Sequence, residues 1–226
     1  MLSNVNSAMV SLIFLSAIYA TAGCLLSDLA ISWLYSHYPD ELSSPHTLGK
    51  STILRNVLLW LGGLICAYST MVPSICHSLL PDAILSEILR LLSCSILLIC
   101  CATDWEQRIL FDYALAPLAI IGITSCLLSG QSITDHVLAA AAGGGFFLIL
   151  GIITRGGFGG GDIKLIAALG LLLGTEKLLA AVFCGILAGG AAALIMLIVH
   201  KKDRKSYIAY GPYFAIMAIL LLTAKV

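Results

Sequence analysis

Charge is what this sequence has least of. Only 11% of its 226 residues are charged, while 60% are hydrophobic. A soluble domain usually carries about 25% charged residues, so the polar surface of a soluble globule is missing. The composition fits a polytopic membrane protein, and the mean hydropathy of +1.03 agrees. The net charge is zero, without the basic excess that a nucleic-acid partner would call for. The start, Met1–Asn6, lacks a basic n-region, and the apolar run after it is too long for a cleaved signal peptide. It reads as a retained span. The chain has eight cysteines but no C-x-x-C pair. Most sit in apolar runs, where a thiol behaves as a small hydrophobe, so neither a zinc site nor a disulfide framework is expected. No two of the five histidines have metal-ligand spacing. No metal or organic cofactor is expected.

What is present is a series of apolar runs. A spanning helix takes about 20 mostly apolar residues. Eight candidates are expected: 8–34, 55–73, 83–103, 113–129, 135–154, 163–176, 178–199 and 207–224, the sixth being short. The fold class is therefore all-α, a single integral-membrane helix bundle over 1–226. With the N-terminus outside, nine of the twelve basic residues (Lys50, Arg55, Arg108, Arg155, Lys164, Lys201, Lys202, Arg204 and Lys205) fall at inside ends and loops. That is the positive-inside distribution. Loops 74–82 and 130–134 contain no Lys or Arg. Arg90 lies within the third span, three residues after Glu87 and on the same helix face. No repeat marks an inverted-repeat transporter. The small-residue tracts at 139–145 and 188–193 are read as helix-packing surfaces.

The orientation then decides where the acids lie. Asp104 ends the third span and Asp162 opens the sixth, both on the inside, although 58 residues separate them. An acid at the edge of a span costs a few kcal/mol, so it usually faces protein or a water-filled cavity. Two carboxylates brought close there cannot easily both ionise. Such a pair can share a water, one acid taking its proton while the other donates to a peptide carbonyl. The glycines of RGGFGGGDIKL (155–165), Gly159, Gly160 and Gly161 among them, can adopt positive φ and leave room for a substrate backbone. The competing reading is a plain flexible hairpin with Asp162 as an N-cap. Lys164 is a supporting candidate that could moderate local charge or bind headgroups. Asp112, eight residues after Asp104, suits the start of the fourth span, since acids favour helix N-termini. Asp28 is either a helix break or a third polar group at the site. Cys100 and Cys101 are near Asp104, but no histidine partner is placed beside them.

Three blocks resemble the type IV prepilin peptidases, membrane aspartyl proteases with a GxGD motif. They are TDWEQRILFDYALAPL (103–118), FGGGDIKLIAALGLLLG (158–174) and YGPYFAI (210–216). The resemblance covers about 100–226. It implies that Asp104 and Asp162 are the catalytic pair. It also implies an enzyme of the bacterial inner membrane, multi-pass, with its active site toward the cytoplasm. The substrates it implies are prepilins or pseudopilins with a short basic leader ending in glycine, serving a type IV pilus or protein secretion. The partners are then that precursor and the lipid bilayer, with no nucleic acid. Phe111 stands where the family has a proline, and GCLLSDLAISWL (23–34) matches the family's N-terminal stretch weakly. The segment 35–54 is short and has no cysteine, whereas many members carry two C-x-x-C pairs there, associated with N-methylation. Methyltransferase activity is therefore not expected. The alternative from another class is a small proton-coupled transporter, or a scaffold of a secretion machine. Asp→Asn changes would separate these readings.

Overall fold

The computed structural model describes residues 2–38, 52–74, 81–155, 157–200 and 210–224. They form seven helices: α1 (Leu2–His37), α2 (Thr52–Ser74), α3 (Pro81–Gln107), α4 (Asp112–Leu128), α5 (Ile133–Ile153), α6 (Gly160–His200) and α7 (Gly211–Thr223). The apolar composition explains the choice. In lipid no water satisfies the backbone, so a segment must pair its own amides and carbonyls. The few hydroxyls inside the helices follow the same rule. Those of Thr21, Ser93, Thr124 and Thr223 donate to carbonyls four residues back, at 2.8–3.0 Å.

Four helical stretches are long and apolar enough to cross a membrane: Ser16–His37, Ile84–Gln107, Ile133–Ile153 and Gly160–Ile195. Arg55–Ala67, Asp112–Leu128 and Gly211–Thr223 are apolar but shorter. Hydropathy leads to an expectation of eight full spans, and by length and composition together four stretches of the described residues meet that standard. Large apolar side chains such as Leu25, Ile120, Ile153, Leu179 and Ile198 lie open on the outside of the bundle, an arrangement suited to lipid rather than water.

α6 departs from the expected pair of separate spans, 163–176 and 178–199. Its 41 residues would form a rod of about 60 Å, twice the roughly 30 Å of a hydrocarbon core. Instead it breaks at Gly174 (φ 73°, ψ 178°). Asp162 lies beside Gly211, and Gly189 lies against Tyr210 and Tyr213. A straight helix would hold residues 162 and 189 about 40 Å apart, so the chain folds back at Gly174. The boundary is one glycine, not a loop. Asp135, on α5, holds the start of the second half, accepting from the Thr175 N–H (3.0 Å) and hydroxyl (2.6 Å). The buried His136 ring meets the Leu171 carbonyl (2.8 Å) and the Gln131 side chain (3.0 Å) at the same end.

α6 packs against α4, α5 and α7, and α3 against α2, α4 and α7. The core of this half contains Leu97, Leu118, Phe147, Leu165, Leu169 and Phe214. Both small-residue tracts act as packing surfaces. A side chain at Gly170 would run into the backbone of Ala140, and one at Gly189 into the Tyr210 ring. A second cluster, Ile31, Leu34, Tyr35, Leu59 and Phe111, joins α1 and α2 to the α3–α4 turn. α1 is continuous through Asp28, so the helix break considered there does not occur. Glu87 and Arg90 form an i,i+3 ion pair at 3.3 Å.

Candidate active site

Three helix ends meet at one end of the bundle. The last turn of α3 carries Asp104, only 5% exposed. The first turn of α6 carries Asp162, half-buried. α7 starts at Gly211, with Pro212 at the beginning of the helix, where its missing N–H costs nothing. A Cβ built on Gly211 would overlap Asp104 Oδ2 and would lie 3.3 Å from Asp162 Oδ1. The two carboxylates therefore approach the same point from different helices, and their oxygens are separated by less than twice that distance. The Gly211 backbone N–H faces both acids, and the Gly159 N–H faces Asp162. A helix N-terminus suits negative charge.

Asp104 Oδ2 is buried without a hydrogen-bond partner. Arg108 follows α3 in the left-handed region (φ 56°) and donates its N–H to the Asp104 carbonyl at 2.9 Å. Its charge acts on the Asp104 carboxyl.

The glycine block behaves differently from expectation. Gly159, Gly160 and Gly161 do not use positive φ; among the described residues the left-handed glycines are Gly130 and Gly174. Gly156 is outside the described residues. Space at Gly161 is taken by the protein itself, since a Cβ there would meet the Leu110 Cβ at 3.0 Å. The missing side chain lets the α3–α4 turn pack onto the start of α6, which draws the two aspartate-bearing blocks together. Gly160 faces open space, and Gly159 lies beside the Asp162 carboxylate. The loop is pinned rather than free: Phe158 packs edge-on against Phe147 at 5.0 Å and beside Tyr210 at 5.6 Å.

Asp112 is the first residue of α4, after the N-cap Phe111, as its acidity suggests. Its carboxylate takes Lys164 Nζ at 2.8 and 2.6 Å. Both side chains are more than half exposed, so this pair ties α4 to α6 at the rim and does not join the aspartate pair. Asp162 lies in the first turn of α6 rather than at the N-cap position. Phe111, which stands in place of the proline noted above, is buried against Tyr35 and Tyr38, each at 6.2 Å. The turn is held by packing instead of by a fixed φ.

Two arrangements at the site are not given by the sequence reading. Gly211 belongs to a recognised motif, but nothing in a linear sequence puts it between two acids over 45 residues away. The other is an ion network on the far side of Asp104. Arg55 on α2, 6% exposed, pairs with Asp28 on α1 and with Glu106 on α3 (3.1 Å), and the Tyr35 hydroxyl donates to the same Glu106 oxygen at 3.0 Å. Asp28 is thus tied to Arg55 rather than to the aspartate pair. Lys50, Lys201, Lys202, Arg204 and Lys205 are outside the described residues. Among the described residues no group of three or more His, Cys, Asp or Glu side chains is arranged to hold a metal ion.

A sequence profile of the type IV leader peptidase family matches residues 91–194, which include both aspartates. A prepilin leader peptidase/N-methyltransferase of Bacillus subtilis strain 168 is 37% identical over 68 residues, 30% of this chain and 27% of that protein. A protein of the same name from Xanthomonas campestris pv. campestris is 40% identical over 60 residues, 26% of this chain and 21% of that protein. The alignments thus span about a quarter of the curated relatives' length. No solved structure matches the chain.

Proposed function

From the match of residues 91–194 to the type IV leader peptidase family, we propose that this chain is a membrane aspartyl endopeptidase. It removes the short basic leader from type IV prepilins or pseudopilins at the cytoplasmic face of the bacterial inner membrane. The observation that carries the reading is the convergence of Asp104 and Asp162 on Gly211. One carboxylate takes a proton from a water whose oxygen attacks the scissile carbonyl carbon. The other, protonated, donates to the carbonyl oxygen. As the tetrahedral intermediate collapses, the C–N bond breaks and the departing amine takes up a proton from the pair. The Gly211 N–H steadies whichever carboxylate is charged, and the Gly159 N–H steadies that of Asp162. A precursor anchored by its own apolar helix presents its scissile bond at a fixed depth, a positioning advantage over a freely diffusing peptide.

The cytoplasmic orientation is supported by Arg108, Arg155 and Lys164, which flank the helix ends on the side of the aspartates. The proposed activity does not include methyl transfer, which the names of the two relatives carry; segment 35–54 here has no cysteine.

The test is cleavage of a prepilin reporter in membranes by wild type, Asp104→Asn and Asp162→Asn at matched expression. Each substitution lowers the rate by about 10²–10⁴-fold, the span of a lost general acid or base. Wild-type rates in either variant would remove that aspartate from the chemistry.

A further inference from the structure

We propose that Arg55 is a positioning residue for Asp104, acting through Glu106. The inference rests on the peptidase reading above. Asp104 and Glu106 occupy the same last turn of α3, two residues apart and so on roughly opposite faces of the helix. One face is met by Gly211, at the start of α7. The other is met by the Arg55 guanidinium and the Tyr35 hydroxyl, both on the Glu106 carboxylate. The last turn of a helix has unpaired carbonyls and is the part that frays first. Here it carries a reacting acid, and it is gripped on both sides.

The grip comes from outside the segment that matches the family profile. Asp28 and Tyr35 are on α1 and Arg55 is on α2, while the profile begins at residue 91. Arginine does not give up its charge. Buried, it holds its place only while its acids hold theirs. α1 and α2 are therefore coupled to the orientation of a carboxylate that neither of them carries. Asp28 takes the second arm of the guanidinium and orients Arg55 toward Glu106. Phe111, packed on Tyr35, extends the same support to the α3–α4 turn.

A merely stabilising ion network makes a different prediction from a positioning one, because a buried pair replaced as a whole by neutral groups need not lose stability. Four proteins are compared in nanodiscs with wild type: Arg55→Met, Arg55→Lys, Asp104→Asn as the activity control, and the neutral triple Asp28→Asn, Arg55→Met, Glu106→Gln. Cleavage of a prepilin reporter and hydrogen–deuterium exchange of segments 103–111 and 160–166 are read on each. Arg55→Met lowers kcat about 100-fold, the scale of an ångström-sized misplacement, with KM unchanged. Exchange rises in 103–111 and not in 160–166. Arg55→Lys restores part of kcat. The neutral triple melts near the wild-type temperature yet stays as slow as Arg55→Met. Wild-type cleavage by the triple, or by Arg55→Met, would reduce the network to stability and overturn the proposal. So would unchanged exchange in 103–111. If wild type itself fails to cut, the peptidase reading falls, and the exchange comparison still decides whether Arg55 holds the end of α3.

Discussion

At Gly211 a single hydrogen in place of a side chain decides whether two helices can bring their acids together. Its Cβ position is within contact distance of both carboxylates, and neither the start of α7 nor the last turn of α3 has room to retreat, since Pro212, Phe214 and Cys100 are buried around them. Gly211→Ala therefore lowers prepilin cleavage by roughly 100-fold, while thermal melting in detergent shows the about 1–3 kcal/mol of an overpacked site. Equal cleavage by the alanine variant would mean that the acids do not react in this arrangement. The Asp112–Lys164 pair is the opposite case. It has good geometry but lies more than half in solvent, where an ion pair contributes only about 0–1 kcal/mol. In the structure these two residues tie α4 to α6.

α6 shows what one residue does to an element. Gly174 adopts φ 73° and ψ 178°, a backbone region almost confined to glycine, and another residue forced there carries about 1–3 kcal/mol of strain. A Cβ would also meet Asp135 Oδ2 at 2.7 Å, in the contact that caps Thr175. Gly174→Ala should accordingly lower stability by about 1–3 kcal/mol, read from thermal unfolding in detergent against wild type. An unchanged melting curve would show that the reversal is set by packing of the two halves alone. The reversal brings Gly189, in the second half, back to the Tyr210 ring, and Tyr210 borders both Phe158 and Gly211.

For the whole molecule, the two ends of the bundle differ in kind. One end has the aspartate pair, the Arg55 network, Arg108, Arg155 and Lys164. The other has Gly130, the Asp135–Thr175 cap and Gly174. If the basic end faces the cytoplasm, as proposed, alkaline phosphatase fused after Gly130 is active and phosphatase fused after Arg155 is inactive. The reverse pattern would turn the protein over and put the aspartates on the outer face, against the proposed site of cleavage. The exposed apolar side chains around the bundle and the inward polar groups at its two ends fit a protein solvated by lipid along its sides and by water only at its caps.

The membrane class, the helical fold and the approximate position of each helix were legible in the amino-acid sequence, because in lipid a helix is specified locally, by a run of apolar residues that must satisfy its own backbone. Asp104 and Asp162 stood out for the same reason, as acids at the margins of such runs. The sequence also marked the blocks around them as similar to one family. Tertiary structure decided the rest. It put Gly211 between acids 49 and 107 residues away in the chain. It used Gly161 for the protein's own Leu110 rather than for open space. It turned α6 back at one glycine and gave Arg55 two acids from two other helices. These are contacts between elements, fixed by which faces pack and how closely backbones approach, and no local window of sequence contains both partners.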